Sequence, residues 1–390
     1  MIDRARLAEL RASEEKRFIE LHPKSGQLFE KSKVNMPDGV PMSWMAKWPG
    51  AYPIFVEEAK GALCDVMAHI YRFCLGDTGS MTGHSPDAVV TAIREQAGKG
   101  MSAMLPTKDA SDVSADLASR FNLPFWQFTV SATDANRHAI RYSRLITGKS
   151  KVIVIDRCYH GSVDESFATL DKKGKTVARE GNIGAPVDLD LTTRVVAFND
   201  LAGMKKALAN NDVAAILMEP AMTNVGIVLP ADGYLKEVEK LAKKYEALLI
   251  IDETHTISVG PGGMTAQLGL CPDFLTIGKA IGGGFPTGAF GMQKHVADSI
   301  KKLVELEVID TGGVGGTLAA NALSLAAMRA SLSKVLTAEN FERMIKLGDR
   351  WADGVEQAIE KYKLSWTVNR LGARAEYMFA PTAPTTGRQA

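Results

Sequence analysis

Four short apolar runs constrain this chain more than any other feature. They are VIVID (152–156), AAILME (214–219), ALLIIDE (247–253) and FLTIG (274–278). Each is of strand length, and each is apolar almost throughout rather than alternating. That is the pattern of a strand buried on both faces. Between the second and third lies DGYLKEVEKLAKKYEA, where Leu235, Val238, Leu241, Ala242 and Tyr245 recur at helical spacing. Strand–helix–strand alternation of this kind predicts an α/β fold, a mostly parallel sheet with helices on both faces. Beyond residue 318 the pattern turns helical, which predicts a second, smaller domain beginning near 310–320.

The chain has 390 residues, more than the ~250–300 at which a single core stops growing. Three regions are expected: a helical and irregular segment at 1–55, a large α/β domain at 56–315 and a small C-terminal domain at 316–390. The first region opens with charged helical sequence. It continues as MPDGVPMSWMAKWPGAYP (36–53), whose four prolines and two tryptophans predict an irregular segment with buried aromatics. Composition excludes several classes. The formal charge of +1 offers no excess to neutralise phosphates, so no nucleic-acid partner is expected. No apolar run reaches the ~18 residues of a membrane span, and the start lacks a signal-peptide core, so a cytoplasmic protein is expected. The cysteines Cys64, Cys74, Cys158 and Cys271 are scattered, which argues against a disulfide framework.

Ligands of parallel α/β sheets bind at the carboxyl ends of strands, so the residues that follow each run are the candidates. ALLII runs into Asp252, FLTIG into Lys279 and a glycine run, AAILM into Glu219-Pro220, and VIVID into Arg157-Cys158-Tyr159-His160. A buried amine beside glycines and a carboxylate on a neighbouring strand suit pyridoxal phosphate, which needs both and a phosphate cradle. Ser131-Ala132-Thr133, before a helical stretch, offers free N–H groups to an anion. The same segment also reads as a plain N-cap by Thr133 or Asp134.

The stretch MEPAMTN…TGAFGM (218–292) resembles the signature region of class III pyridoxal-phosphate aminotransferases, nearest to the branch containing glutamate-1-semialdehyde aminomutase. The resemblance rests on Glu-Pro before a glycine-bearing loop, Asp-Glu after an apolar strand, and Gly-Lys followed by glycines. Weaker matches run from about Asp38 through GHSP (83–86), SATDAN (131–136) and CYHG (158–161) to GGTLAANA (315–322). The resemblance implies the type I fold of pyridoxal-phosphate transferases, an α/β sheet domain with a smaller α+β domain. It implies Lys279 as the Schiff-base lysine and Asp252 as partner of the pyridine nitrogen. Ser131, Ala132 and Thr133 would bind phosphate, Tyr159 and Thr254 would flank the ring, and Asn224 would lie near its phenolic oxygen. Thr317 would reach the phosphate of a second subunit in a homodimer.

The activity implied first is transfer of an amino group between an amine or amino acid and a keto acid or aldehyde. An aminomutase would use the same cofactor shell, and a non-catalytic pyridoxal-phosphate binder is a third reading. No metal is expected: His160 and His255 show no paired ligand spacing and are assigned structural roles. Gly148-Lys149-Ser150 imitates a phosphate-loop ending, but Ser143 stands where its first glycine should be. No arginine occupies the loop Pro41-Met42-Ser43-Trp44, so Arg374 is the nearest candidate for a substrate carboxylate. Trp44, Trp48 and Tyr52 are candidate pocket walls. Against the family, the last region is expected to be shortened.

Overall fold

The computed structural model describes residues 3–390 apart from 66–68, 72–73, 75, 185–187 and 305–312. Its contacts form two compact units, Met1–Gly76 with Gly83–Pro86, and Asp77–Thr82 with Asp87–Ala390. The first unit holds helices Arg4–Leu21 and Pro23–Ser32, then short 3-10 turns at Pro37–Gly39 and Ser43–Lys47. Tyr52 packs its ring 5.3 Å from Phe18 and donates its hydroxyl to the His22 carbonyl. Trp44 and Trp48 are more than half exposed and Tyr52 is only partly buried, so the expected burial of these aromatics is not met. Short turns offer no face under which an indole can be covered.

The second unit is built on a seven-stranded sheet. Its strands are β1 (Phe125–Thr129), β2 (Lys151–Ile155), β3 (Thr193–Val196), β4 (Val213–Met218), β5 (Leu248–Asp252), β6 (Phe274–Gly278) and β7 (Gly288–Met292). Their spatial order is β1-β7-β6-β5-β4-β2-β3. Only β7 runs antiparallel to its neighbours, against β6 and β1. The remaining pairings are parallel, as the near-continuous apolar runs require. Every residue of β4 and β6 is buried. At ~1.5–3 kcal/mol for each large aliphatic side chain removed from water, these strands anchor the core.

Two helices matter for the site. Helix α1 (Ala132–Thr147) begins directly after β1, with Ser131 as N-cap, and ends at Gly148 in the left-handed conformation. It buries Ala135, Asn136, Ala139, Ile140 and Ser143, a face at helical spacing. Helix α2 (Tyr234–Lys244) buries Leu235, Val238, Leu241 and Ala242, the positions expected from periodicity. Gly148-Lys149-Ser150 belongs to the far end of α1, where Lys149 ties down the carbonyls of Tyr245 and Glu246.

Past residue 313 come helices Ala322–Ala330 and Ala338–Tyr362, then an antiparallel hairpin of Thr367–Leu371 and Arg374–Met378. The hairpin turns at Gly372, φ +60, where a Cβ would fall 2.4 Å from the Val259 Cα. Only glycine fits there, and the turn sets where Arg374 lies. A separate small domain from residue 316 remains a proposal.

Candidate active site

The register of the sheet brings the carboxyl ends of β2, β4, β5 and β6 to one edge, with Asp252 opposite Thr276 and Ile251 opposite Met218. A cavity of about 400 Å³ opens there. Ser131, Ala132 and Thr133 line it from the start of α1. Tyr159, Asp252, Thr254 and Lys279 line it as well, together with Glu219 and Thr287. Seven of the nine candidate residues therefore converge.

Asn224 and Thr317 do not join them. Asn224 is exposed, in an isolated bridge with Gly226, and Thr317 is exposed in a turn. Neither belongs to the cavity lining.

Asp252 ends β5 with its carboxylate buried and fully engaged. Oδ2 accepts from His160 Nδ1 at 2.9 Å and from Asn136 Nδ2 at 2.9 Å, while Oδ1 accepts from the Thr254 N–H at 3.0 Å. Asn136 is itself fixed, since its Oδ1 accepts from Thr276 Oγ1 at 2.6 Å. Burial opposes ionisation of Asp252, yet the His160 hydrogen bond and charge, with those of Thr254 and Asn136, outweigh it. They hold the carboxyl well below the usual range. For His160, burial disfavours charge, but Cys158 and Asp252 raise its pKa well above the ordinary value. Glu253, one residue on, turns into the interior, where Thr256, Met264 and Thr265 satisfy it. Alternation along the chain thus separates a site carboxylate from a structural one.

Lys279 follows β6 at φ +49, a conformation that L-residues avoid. Its Nζ lies 2.6 Å from Asp77 Oδ2 and 2.7 Å from His255 Nε2. Asp77 and Thr78 also have positive φ, +51 and +70. Lys279 and Asp77 meet at the amine and Thr78 reaches the far side of His255. Three strained residues, each costing ~1–3 kcal/mol, mark a site held in place by its surroundings. Burial and the Lys279 charge press the His255 imidazole down to about 3, so it is neutral at ordinary pH.

The anion cradle is made by close backbone approach. Ser131 caps α1, its Oγ accepting from the Asp134 N–H, so neither Thr133 nor Asp134 is the cap. Thr133 Oγ1 instead accepts from the Ser162 N–H at 3.2 Å. Gly161 has φ +78, and a Cβ there would lie 2.0 Å from Thr133 Oγ1. Two hydroxyls in the cavity lining, Thr254 Oγ1 and Thr287 Oγ1, are buried without a hydrogen-bond partner. Buried donors of that kind are costly unless a ligand satisfies them. Helix start, unsatisfied hydroxyls, ionised carboxylate and amine fit pyridoxal phosphate.

Sequence reasoning missed Asn136, Asp77, His160 and His255. The two histidines, assigned to structure, are instead bonded to Asp252 and Lys279. Their adjacency to Tyr159 and Thr254 was the available signal. Arg374 also enters, with Nη1 2.9 Å from His255 Nδ1. Glu219, buried in the lining, has its carboxyl pushed up to about 7 by burial.

Comparison with known proteins agrees with this geometry. Residues 45–382 match the family model "Aminotransferase class-III". A solved glutamate-1-semialdehyde-aminomutase from Pseudomonas aeruginosa PAO1 is 44% identical, with a TM-score of 0.96 over 99% of this chain and 87% of that one. A variant of a glutamate-1-semialdehyde-aminomutase from that organism was crystallised in complex with PMP. The glutamate-1-semialdehyde 2,1-aminomutase of Akkermansia muciniphila is 31% identical over 90% of this chain and 82% of its own. An omega-transaminase from Sphaerobacter thermophilus is 26% identical, with a TM-score of 0.84 over 94% of this chain and 84% of that one. The chain belongs to the class-III aminotransferases, type I fold enzymes whose cofactor is pyridoxal 5′-phosphate.

Proposed function

We propose that this chain is an aminomutase of the glutamate-1-semialdehyde type, which moves an amino group between neighbouring carbons of one substrate. The sequence alone put transfer to a separate keto acid first. The observation that favours the aminomutase is the 44% identity, at a TM-score of 0.96, to a protein of that name. Retention of Lys279 and Asp252 together speaks against a non-catalytic binder.

Ser131, Ala132 and Thr133 would hold the cofactor's phosphate, with the dipole of α1 adding to the attraction. Asp252 would face the ring nitrogen, and Tyr159 and Thr254 the two ring faces. Bound there, pyridoxal phosphate supplies a carbonyl carbon for an amine and a ring that draws electrons from the attached substrate carbon. Lys279 Nζ is the nucleophile and the base: it takes a proton from one carbon and returns it to another. Asp252, kept ionised by His160, Asn136 and Thr254, holds a proton on the facing nitrogen. The buried position of Asp252 strengthens that interaction by excluding water. We assign Thr317 to the neighbouring site of a homodimer, where Gly315 and Gly316 let its backbone approach an anion.

The experiment supplies glutamate-1-semialdehyde alone. The expected product carries the amine on carbon 1 and the carbonyl on carbon 2, formed without any keto acid. Turnover that requires pyruvate or 2-oxoglutarate and yields their amino acids would return the chain to the transaminases. The dimer is tested by mixing Lys279→Ala chains with Thr317→Ala chains. A mixed dimer concentrates both defects in one site, so activity recovers in the other; absence of recovery in proven mixed dimers rejects the shared site.

A further inference from the structure

The amine of Lys279 is held between two groups of different kind. Asp77 is largely exposed, with 71% of its side chain accessible, so water screens its attraction for a lysine charge. His255 has only 11% of its side chain accessible, so water screens its contact with Lys279 less. The other ring nitrogen, Nδ1, faces Arg374 Nη1 at 2.9 Å and Thr78 Oγ1 at 2.8 Å. A guanidinium donates hydrogen bonds and accepts none. A hydrogen on Nδ1 would set donor against donor, so Nδ1 accepts from Arg374. The neutral ring then carries its hydrogen on Nε2, on the side of Lys279.

Arg374 is itself immobilised. Its guanidinium is paired with Glu376 at 2.5 Å and donates from Nη2 to the Thr223 carbonyl at 3.1 Å. The charged groups that face His255 are Arg374, Asp77 and Asp252, with Lys279 when it is protonated; burial is the largest cause of the lowered pKa and keeps the ring neutral.

We propose that Arg374 and His255 are positioning residues for the reactive lysine: Arg374 fixes the Nε2–H tautomer, and His255 donates that hydrogen to Lys279 Nζ. As the free base the amine accepts from His255 and donates to Asp77, so its nitrogen is returned to one point after each proton it gives up. A lysine ammonium at that point would face the Nε2–H donor to donor. Once protonated, Lys279 is therefore turned away from His255. The role rests on the reading of Lys279 as the reactive amine.

The test uses the full chain with pyridoxal phosphate and ¹⁵N-labelled histidine, the His255 signals being assigned by their loss in His255→Gln. Hydrogen on Nε2 near neutral pH is expected in the wild type, and Arg374→Gln should move hydrogen onto Nδ1. Hydrogen on Nδ1 in the wild type overturns the proposal, and that spectrum decides even if a variant fails to fold. A second measurement follows uptake of pyridoxal phosphate by Lys279, trapped with borohydride and located by mass spectrometry. His255→Leu should slow uptake roughly ten-fold, the worth of one hydrogen bond, and His255→Gln, whose amide still donates, should restore most of it. Equal rates in the wild type and the leucine variant overturn the role. Absence of trapping at Lys279 in the wild type at any pH instead overturns the underlying assignment of Lys279.

Discussion

Asp252 and Lys279 sit at the carboxyl ends of adjacent strands, β5 and β6, yet the fold holds them in opposite ways. Around Asp252 the partners are buried and close: Thr276 holds Asn136, and Asn136, His160 and the Thr254 N–H hold the carboxylate. The backbone there is regular strand, and the group is dry. Lys279 stands on strained backbone, 28% exposed, with partners on a short segment of positive φ and on a separate loop. A group that must keep one charge throughout a cycle is built rigid and satisfied. A group that must form bonds, carry protons and return is built with contacts it can leave. The contrast is between a fixed electrostatic partner and a moving one.

Replacing the moving partner should have the largest effect. Lys279→Ala should abolish turnover, because neither nucleophile nor base remains, and should leave the melting temperature nearly unchanged, because alanine keeps the same backbone strain and loses only partly exposed contacts. Residual turnover near the wild-type rate would break the contrast outright. Next is the fixed partner. Asp252→Asn should lower kcat by roughly 10²–10³-fold, the scale set by loss of one preorganised charge partner. Because the amide can still accept from the Thr254 N–H, thermal melting should fall far less than activity does. An unchanged rate would show that Asp252 does not face the cofactor.

The smallest effect concerns Glu219, which is buried like Asp252 but, among the described residues, receives hydrogen bonds from Thr223 alone. Its folded-state pKa, about 7, stands above an ordinary 4.5. Its share of stability is therefore complete below about 4.5 and is lost as pH rises through about 7. Across that window the melting temperature of the wild type should fall relative to Glu219→Gln. The change should be on the order of 1–3 kcal/mol. Parallel curves would place Glu219 in wetter surroundings than its burial indicates.

Much of this was legible in the chain. Apolar runs located β2, β4, β5 and β6 to within a residue or two, and a strand's end points its last side chain toward the ligand edge. Asp252 and Lys279 follow from that rule and from chemistry. The proposed phosphate cradle was marked in the chain by small and hydroxyl residues before a helix, and Ser131 proved to be the helix cap. What the sequence withheld depends on tertiary neighbours. His160, Asn136 and Thr276 come from three elements far apart in sequence, and the fold brings His160 and Asn136 to one carboxylate with Thr276 behind Asn136. Asp77 and Thr78 carry no local signal, since positive φ in residues other than glycine has no composition mark. Arg374 was noticed as the nearest arginine, but its path to Lys279 through His255 depends on the hairpin turn at Gly372. Asn224 keeps its spacing from Glu219, yet the chain leaves it exposed.

The central claim is that Lys279 is the one amine that bonds the cofactor while Asp252 fixes the ring. The most direct measurement is borohydride reduction of the full chain with pyridoxal phosphate, followed by mass spectrometry of its peptides. The account predicts a visible or near-ultraviolet band bleached by reduction, with a single modified residue, Lys279, and no modification in Lys279→Ala. Stoichiometric modification at another lysine, or cofactor that reduction leaves wholly unattached, would contradict it.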